Sequence, residues 1–339
     1  MRAYRFDTLG TLDELKMHHE TMPRPQRGEV LVKIRAVALN YRDLSIALGN
    51  YIHAARPGLI PCSDAAGEIA AVGEGVTSYV PGDRVLGTFH PRWFGGRPPF
   101  ATSQSESYGS AADGWLSEYK CVSQEALIRL PAALSFEEGA TLPCAAVTAW
   151  NALSGSTPIR SGHTVLTLGT GGVSIFALQI AKAVGAKVIA TTSSDQKGER
   201  LKALGADHVI NYSTIPDWGS HVRRLTGGLG VDCVVEVGGP ATINESLRAV
   251  RWGGDVVLIG FLTTDKPEID YFHLKRSGAV VRSISVGDRT ALEELVRMAA
   301  ASCLKPVIDR IFAFEEAKAA FMHLQERRHV GKIVVRVQD

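Results

Sequence analysis

The second half of the chain alternates strand-length apolar runs with helix-length amphipathic segments, and this alternation constrains the fold more than any other feature of the sequence. In chain order the segments span residues 164–168, 172–184, 187–190, 197–204, 231–235, 242–249 and 256–259. Strands joined by helices lie parallel, because a parallel pair needs a long crossover connection. The pattern therefore predicts a doubly wound α/β domain with helices on both faces of one sheet.

A glycine-rich turn joins the first of these strands to the first helix. From residue 165 the sequence reads Val-Leu-Thr-Leu-Gly169-Thr-Gly171-Gly172-Val173-Ser174. The first glycine permits a tight turn, Gly171 lets the backbone approach a pyrophosphate, and the N–H groups of the helix N-terminus stabilise negative charge. Ser174 replaces the third glycine of the usual fingerprint but is still small enough for close helix–strand packing. We interpret Gly169, Gly171, Gly172 and Val173 as part of a dinucleotide-binding site.

The segment about 20 residues beyond the first glycine bears on the choice of cofactor. An Asp or Glu there usually accepts a hydrogen bond from the ribose 2′-hydroxyl of NAD, but this chain has Thr191-Thr192-Ser193-Ser194. A 2′-phosphate would meet no carboxylate, so NADPH is favoured over NADH. Asp195 is the opposing feature, because it either caps the next helix or turns back towards the ribose. Donors and positive charge for a 2′-phosphate are available from Thr192, Ser193, Ser194, Lys197, Arg200 and Tyr212.

The first part of the chain follows a different pattern. Residues 30–37 alternate apolar and polar side chains, which is typical of a half-buried strand, and short apolar runs recur at 66–72 and 84–86. Turn-forming residues, Gly73-Glu74-Gly75 and Pro81-Gly82-Asp83, separate these runs. We expect a compact, β-barrel-like domain.

Two further segments are assigned to this first domain. Residues 88–114 are rich in Pro, Gly, Ser and aromatic residues without a helix or strand period, so we expect a long loop, packed near a pocket rather than mobile. A helix at 314–325 and a strand at 332–337 are expected to return to the first domain from the C-terminal end.

Composition excludes several classes of protein. With 37 Lys and Arg against 35 Asp and Glu, the formal charge is +2 and no basic block is present, so nucleic acid is not expected as a partner. The N-terminus lacks the apolar stretch of a signal peptide and no apolar run reaches about 18 residues, so we expect a cytoplasmic protein with no membrane partner. The five cysteines are scattered, and disulfides are not expected.

Six motifs spread over essentially the whole chain resemble the medium-chain dehydrogenase/reductase superfamily. They are, in order, Gly28-Glu-Val-Leu-Val-Lys, Ala38-Leu-Asn-Tyr-Arg-Asp43, Gly67-Glu-Ile-Ala-Ala-Val-Gly73, Pro81-Gly-Asp-Arg-Val85, Ala140-Thr-Leu-Pro-Cys-Ala-Ala-Val-Thr-Ala-Trp150 and Gly331-Lys-Ile-Val334. The resemblance implies an α/β fold with a GroES-like β-barrel catalytic domain, residues 1–126 and 291–339, and a doubly wound Rossmann-type nucleotide-binding domain, residues 127–290. It also implies further cofactor contacts from Thr148, Gly260, Phe261, Leu262, Ser285 and Val286.

The zinc alcohol dehydrogenases of this superfamily hold a catalytic zinc through a cysteine, a histidine and a second cysteine. The resembling motifs place Asn40, Ser63 and Cys144 at these positions, so two of the three ligands are replaced by an amide and a hydroxyl. Both are poor ligands for zinc, and Cys144 is then expected to be a packing residue. The 88–114 loop, where such enzymes often carry a structural zinc, contains no cysteine. We therefore expect no metal and a likeness to zinc-independent quinone and enone reductases.

Without a metal, the substrate should already be electrophilic. A small planar quinone or α,β-unsaturated carbonyl fits this requirement, because hydrogen-bond donors suffice to stabilise the oxyanion or enolate that hydride transfer creates. The candidate donors are Tyr51, Asn40, Tyr41 and Ser63. Tyr51 either donates to the substrate oxygen or packs in the wall of the pocket. Asn40 either orients the substrate or satisfies backbone groups.

Other side chains in these segments have competing structural roles. Asp64 with Arg42 or Asp43 is interpreted as a structural charge network. Trp93, Phe94 and Phe100 either cover a flat substrate or pack the loop.

Two alternative functions and one expectation on the oligomeric state stay open at this point. The chain could be a zinc-type alcohol dehydrogenase that uses non-standard ligands such as Cys62, Asp64 and Cys144, or an NADPH-binding sensor or structural protein without turnover. The resemblance also suggests a homodimer formed through an edge strand at 280–286, although a single chain could cover that edge itself.

Overall fold

The computed structural model describes residues 1–52, 55–98, 106–155, 157–262 and 268–338. It divides into two compact units: unit 1 comprises Met1–Val147 and Gly287–Asp339, and unit 2 comprises Thr148–Val286.

Unit 1 is a mainly antiparallel β-structure. Its N-terminal part contains β1 (Arg2–Phe6), β2 (Leu15–His19), β3 (Glu29–Leu39), α1 (Tyr41–Ala47), β4 (Asp64–Val72), β5 (Arg84–Gly87), β6 (Tyr119–Ser123), β7 (Leu127–Arg129) and α2 (Phe136–Ala140). Short 3₁₀ turns lie at Leu12–Glu14 and Gln124–Ala126. The strands predicted at 30–37, 66–72 and 84–86 lie within β3, β4 and β5.

Unit 2 is an α/β domain whose first helix, α3 (Val147–Ser154), follows a π-helical turn at Leu142–Ala146. The remaining elements are β8 (Thr164–Leu168), α4 (Gly172–Ala183), β9 (Lys187–Thr192), α5 (Asp195–Ala203), β10 (His208–Asn211), α6 (Trp218–Leu225), β11 (Val231–Glu236), α7 (Ile243–Ala249), β12 (Val250–Leu258), α8 (Tyr271–Ser277) and β13 (Val280–Ser283).

The six strands of unit 2 form one parallel sheet in the order β10-β9-β8-β11-β12-β13. This is the 3-2-1-4-5-6 order of a dinucleotide-binding Rossmann domain, so the predicted doubly wound fold is confirmed. β12 begins at Val250, earlier than the pattern predicted, because Val250 pairs with Val231 ahead of an irregularity in the register.

The C-terminal part of unit 1 contains α9 (Arg289–Ala301), β14 (Ile308–Ala313), a 3₁₀ turn at Phe314–Glu316, α10 (Ala317–Gln325) and β15 (Lys332–Arg336). β15 pairs antiparallel with β3, with Ile333 opposite Leu39. The sheet therefore runs β14-β15-β3-β4-β5-β7, with β6 also on β3. The predicted return of the tail to the first domain is confirmed, although the helix predicted at 314–325 starts as a 3₁₀ turn.

The contact boundaries of the two units lie at 147/148 and 286/287, whereas the sequence led us to expect 126/127 and 290/291. The first difference arises because α2 packs on β3 and β4 of unit 1. The guanidinium groups of Arg35 and Arg84 lie 5.2 and 4.5 Å from the ring centre of Phe136, at the start of α2. This helix is therefore a part of unit 1 and not of the nucleotide-binding domain, to which the sequence led us to assign it.

Each unit has its own apolar core. In unit 1, Phe6, Trp115 and Phe321 are almost completely buried, and in unit 2 Trp218 and Ile243 close the core on one side of the sheet. Among the residues that the structure describes, we find no helix with the length and apolar character needed to span a membrane.

Candidate functional site

The glycine turn of unit 2 lies at the carboxyl end of β8. Gly169 has φ +74°, a conformation that favours glycine, and its N–H donates to the carbonyl of Thr191 at 3.0 Å. Gly171 caps α4 at ordinary dihedral angles, and a Cβ atom there would meet no atom within 4 Å among the described residues. The fold itself therefore does not require a glycine at 171. The open backbone suits the approach of a ligand phosphate to the first N–H groups of α4.

Ser174 takes the third position of the fingerprint. It is 1% exposed, and its Oγ atom donates to the carbonyl of Leu168 at 2.6 Å. This bond ties the first turn of α4 to the end of β8, so the serine keeps the close helix–strand packing that glycine usually provides.

The start of α5 determines which residue caps the helix. The Oγ atom of Ser194 accepts from the N–H of Lys197 at 3.3 Å, so Ser194 is the N-cap. Asp195 is the first helical residue, and its carboxylate accepts from the amide of Asn211 at 2.9 Å. The proposed capping role of Asp195 is therefore wrong: the serine before it fills that position.

The remaining residues expected around a 2′-phosphate lie at the ends of β9 and β10. The N–H of Tyr212 donates to the carbonyl of Thr192 at 2.9 Å, and the Tyr212 side chain is 42% exposed. Ser193 and Arg200 are exposed, whereas Thr192 is buried. Ser193 is therefore exposed at the end of β9 and Arg200 is exposed on α5, whereas the Thr192 hydroxyl lies 3.4 Å from both the N–H and the carbonyl oxygen of Ser194.

The loop after β12 contains Gly260, Phe261 and Leu262. The N–H of Leu262 donates to the carbonyl of Gly238 at 3.1 Å, and a Cβ atom on Gly260 would lie 2.3 Å from the carbonyl oxygen of Val237. The loops after β11 and β12 are therefore packed backbone to backbone, at the same sheet edge as the glycine turn.

Glu236, which the sequence analysis missed, holds the loop after β11. This fully buried carboxylate ends β11, and one of its oxygens accepts from the N–H groups of Gly238 and Gly239 at 2.8 and 2.9 Å. The same oxygen accepts from Thr242, and the other from the hydroxyl of Ser246. The signal was present in the sequence, since an acid follows the apolar run Cys233-Val234-Val235 just before Gly238 and Gly239.

Thr148 and Val286 lie at the two ends of unit 2, and Ser285 precedes Val286. Thr148 is buried on α3, and three residues further on the amide of Asn151 donates to the carbonyl of Val286 at 2.8 Å. Val286 has φ +56°, which is strained for a β-branched residue. Backbone strain of this kind clusters at functional sites, and here it falls on a residue that the resemblance assigns to the cofactor.

In unit 1, four buried polar side chains form what we call the Asn40 chain: Lys332, Asn40, Ser63 and Asp64. The ammonium of Lys332 donates to the carbonyl of Leu39 at 2.6 Å and to Oδ1 of Asn40. Nδ2 of Asn40 donates to Oγ of Ser63 at 3.4 Å, and that hydroxyl donates to Asp64 at 2.6 Å. The structure thus brings together Asn40 and Ser63, and adds Lys332, which sequence reasoning did not single out.

A second buried charge network adjoins the Asn40 chain. Nη1 of Arg42 lies 3.2 Å from the carboxylate of Asp43 and donates to the carbonyl of Tyr108 at 3.0 Å, while Nη2 donates to Ser107 at 3.0 Å. Asp43 in turn accepts from the N–H of Asn40 at 2.8 Å. Burial raises the pKa of Asp43 to about 6, and Arg42 opposes that shift. Arg42 and Asp43 therefore form a buried charge network with each other, whereas Asp64, which we expected to join one of them, is hydrogen-bonded to Ser63 and to the N–H of Cys144.

The two candidate tyrosines, Tyr51 and Tyr41, take no part in the hydrogen bonds that we describe for the Asn40 chain. The guanidinium of Arg42 lies 5.4 Å from the ring centre of Tyr51. The hydroxyl of Tyr41 accepts from Arg327 at 3.1 Å, and that guanidinium lies 5.4 Å from the Tyr41 ring. Each tyrosine is therefore paired with an arginine.

The side chains at the zinc positions do not fit a catalytic zinc site. Oδ1 of Asn40 accepts from Lys332, and the hydroxyl of Ser63 is bonded to Asp64. Of the three positions, only Cys144 carries a side chain that zinc commonly uses as a ligand. In the alternative set of Cys62, Asp64 and Cys144, the Asp64 carboxylate accepts hydrogen bonds from the Ser63 hydroxyl at 2.6 Å and from the N–H of Cys144 at 3.1 Å. Within the described ranges, no group of three or more His, Cys, Asp or Glu could hold a metal ion.

The described part of the 88–114 loop is packed onto unit 1. The carbonyls of Trp93 and Phe94 accept from the N–H groups of Arg289 and Thr290, at the start of α9. Trp93 is buried and Phe94 is 48% exposed, so the predicted aromatic cluster divides into a core residue and a surface residue. Phe100 lies outside the described residues.

Two family models match the chain. The alcohol dehydrogenase GroES-like domain matches residues 26–132, and the zinc-binding dehydrogenase matches residues 172–301. A zinc-type alcohol dehydrogenase-like protein of Schizosaccharomyces pombe is 40% identical, over 99% of both chains. Acryloyl-coenzyme A reductase of Metallosphaera sedula is 31% identical, over 92% of this chain and 93% of its own.

Solved structures of related proteins superpose on 99% of this chain. A Sinorhizobium meliloti protein assigned as an alcohol dehydrogenase superposes with a TM-score of 0.93 at 39% identity, covering 99% of this chain and 98% of its own. A Pseudomonas syringae quinone oxidoreductase gives 0.83 at 28% identity and 99% of both chains. A mycobacterial protein solved with NADPH also gives 0.83, at 26% identity, over 99% of this chain and 100% of its own.

A GroES-like unit together with a Rossmann unit whose first strand ends in a glycine turn defines a nicotinamide-dependent oxidoreductase. The chain belongs to the medium-chain dehydrogenase/reductase superfamily, as its 40% identity to a full-length member shows.

Proposed function

We propose that the protein is an NADPH-dependent reductase of quinones or α,β-unsaturated carbonyls that transfers hydride without a metal. The observation that carries this proposal is the Asn40 chain, in which the side chains at two zinc-ligand positions, Asn40 and Ser63, are hydrogen-bonded to Lys332 and Asp64. A dehydrogenase of simple alcohols needs a Lewis acid to stabilise the alkoxide. An enone or quinone needs only hydrogen-bond donors at the oxygen that gains negative charge.

Donors in unit 1 match this requirement. Bound NADPH supplies the hydride, and the carbonyl oxygen of the acceptor gains the charge. Asn40 is 9% exposed, and Tyr51 carries a phenol that donates at neutral pH. We assign Asn40 and Tyr51 to the substrate oxygen, with Tyr41 and Ser63 in supporting positions.

Relatives support a reaction of this kind. Acryloyl-coenzyme A reductase and quinone oxidoreductase are among the proteins this chain resembles, and both names describe reduction of conjugated acceptors.

The preference for NADPH rests on the end of β9. The hydroxyl-bearing residues from Thr191 to Ser194 place no carboxylate before α5, and Asp195 is engaged by Asn211. Lys197 adds positive charge in the first turn of α5, and Arg200 adds it in the last turn. A structural relative solved with NADPH is consistent with this assignment.

A homodimer is part of the proposal. β13 lies at the edge of the unit 2 sheet, where Val280 and Val281 are 46% and 38% exposed. Trp252, on the neighbouring β12, is 72% exposed. An exposed apolar edge strand is a template for pairing, and a second copy of this chain would cover it by a two-fold interface.

One assay tests the proposed reaction. The purified protein is treated with a chelator, and oxidation of NADPH and of NADH is followed with ortho-quinones, para-quinones, enones and simple aldehydes. We expect faster NADPH oxidation with quinones or enones, unchanged by chelation. Reduction of aldehydes alone, lost on chelation, would identify a zinc enzyme instead. Tight NADPH binding without turnover of any acceptor would support a sensor or structural protein.

A further inference from the structure

Lys332 is buried beside the residue to which we assign the substrate oxygen. It is 3% exposed, and β15 brings it next to Asn40 because Ile333 pairs with Leu39. We infer that Lys332 is a positioning residue, which fixes the amide of Asn40 so that Nδ2, and not Oδ1, is turned towards the substrate. This inference rests on the proposed function and deepens it.

The chemistry of the ammonium group fixes the orientation of the amide. A lysine has three donors and no acceptor, so the amide atom that faces it must be the oxygen. Lys332 donates to Oδ1 of Asn40, and Nδ2 therefore points the other way, towards Ser63. Without the ammonium group, nothing in this contact would distinguish the two ends of the amide.

The hydrogen bonds from Asn40 to Ser63 and from Ser63 to Asp64 run in the same donor-to-acceptor direction. Oγ of Ser63 accepts from Nδ2 of Asn40 and donates its proton to the carboxylate of Asp64 at 2.6 Å. That carboxylate also accepts from the N–H of Cys144 at 3.1 Å, and Lys332 opposes the rise in its pKa that burial causes. The proton of Ser63 is therefore committed, and Ser63 is not the donor to the substrate.

Asn40 is the member of the chain that can donate outwards. Its amide has two protons, and one of them is used by Ser63. The Asn40 side chain also acts as a hydrogen-bond partner of Asp64, which lowers the pKa of that carboxyl. A substrate oxygen would therefore compete with Asp64 for the second amide proton, which Lys332 holds in place through Oδ1. In this arrangement Asn40 touches the substrate and Lys332 acts only through Asn40.

The first test does not depend on turnover. Hydrogen exchange of the Asn40 side-chain amide is measured by NMR on Asn-labelled protein, with the resonance assigned by its loss in Asn40→Ala. Lys332→Met removes the ammonium and keeps the length of the side chain, so we expect exchange at least about tenfold faster, and Lys332→Arg should restore part of the protection. Equal exchange in the wild type and Lys332→Met would overturn the inference.

The second test is a double-mutant cycle on kcat. We expect Lys332→Met to lower kcat by about 10-fold or more, as loss of a supporting hydrogen bond commonly does, with the KM for NADPH within about twofold of the wild type. In the Asn40→Ala background the same change should lower kcat less than about twofold, because the amide it positions is absent. An equal loss in both backgrounds would show that Lys332 acts independently of Asn40.

Asn40→Asp separates donor from acceptor. The carboxylate keeps an oxygen for Lys332 but has no N–H, so we expect kcat to fall by roughly 100-fold, as for other lost oxyanion donors. A wild-type kcat in Asn40→Asp would exclude Asn40 as the donor. The matched control for the lysine change is Lys318→Met, at a partly exposed position on α10 that pairs with Asp13.

Failure of the proposed function would look different from failure of this inference. If wild-type protein reduces no quinone or enone, the reaction is wrong, and the NMR measurement still decides whether Lys332 orders Asn40. If the wild type turns over and the amide exchange does not respond to Lys332→Met, the reaction stands and the positioning role is wrong.

Discussion

Single residues account for the chemistry that this chain can carry out, and Asn40 is the most connected of them. Its backbone N–H is held by Asp43, its Oδ1 by Lys332, and its Nδ2 contacts Ser63. A residue whose side chain is held at two points and whose backbone is held at a third loses little further freedom when a substrate binds, which favours a preorganised oxyanion site.

Gly171 provides a prediction at this scale. Since a Cβ atom at 171 would meet no described atom within 4 Å, Gly171→Ala should fold, with the melting temperature lowered only slightly because alanine is a poorer N-cap than glycine. The added methyl should obstruct the approach of a pyrophosphate to the helix N-terminus and weaken NADPH binding by about tenfold or more. Titration calorimetry and a thermal melt measure the two effects, and unchanged affinity would place the pyrophosphate elsewhere.

We expect His90 to make the stability of the folded protein depend on pH. Burial, with a smaller effect from the charge of Arg42, lowers the pKa of His90 to about 3. Between that value and about 6.5 the unfolded chain binds a proton that the folded chain does not, so the folded state loses stability as the pH falls, by at most about 1.4 kcal/mol per pH unit. Asp43, with its raised pKa, acts in the opposite direction in part of this range.

The contribution of His90 is isolated by comparison with His90→Gln. We expect the free energy of unfolding, measured with urea from pH 7 to pH 4, to fall more steeply in the wild type than in the variant. Parallel pH profiles would mean that His90 titrates normally in the folded protein.

At the level of helices and strands, the ends of the elements position the site. β8, β11 and β12 end at one sheet edge, where the glycine turn, the Glu236-held loop and Gly260 follow them. The period of the apolar pattern predicted these strands and helices, because it reports which face of each element is buried.

The identity of the caps was less predictable. Asp195 and Ser194 are both good caps, and the choice depends on Asn211, 16 residues away, which engages the Asp195 side chain. Local sequence could not show that contact.

The end of α9 offers a prediction on stability. Cys303 follows the C-cap Ser302, is exposed, and has φ +53°, a left-handed conformation that costs energy for any residue with a Cβ atom. Cys303→Gly should raise the free energy of unfolding by about 0.5–1 kcal/mol, and Cys303→Ala, which keeps the Cβ atom, should not. Urea unfolding of both variants measures this, and equal stability of the two would show that the strain is not present.

Some features of the whole molecule follow from short segments of the sequence, and others depend on contacts between residues that are distant in the sequence. The two domains, their fold class and the superfamily follow from motifs that lie within short segments. The Asn40 chain does not, because Lys332 and Asn40 are 292 residues apart and meet only through the pairing of β15 with β3. Glu236 was missed for a similar reason, since it holds the loop after β11 through four hydrogen-bond partners that come together only in the folded chain.

The proposed homodimer is a prediction for the whole molecule. A charged residue on the exposed edge of β13 should block strand pairing, so Val281→Lys should convert a dimer into a monomer. Light scattering coupled to size exclusion measures the mass, with Val80→Lys, an exposed valine of unit 1, as the matched control. A wild-type monomer, or a Val281→Lys dimer, would contradict pairing at this edge.

Metal-free hydride transfer is the central claim, and isotope transfer tests it most directly. Chelator-treated protein, with its zinc content measured, is given an enone and NADPH in which both hydrogens at C4 of the nicotinamide are replaced by deuterium. We expect one deuterium on the β-carbon of each product molecule, at a rate that added zinc does not change. Transfer that appears only when zinc is added back would show that the residues at the ligand positions, Asn40, Ser63 and Cys144, hold a metal after all.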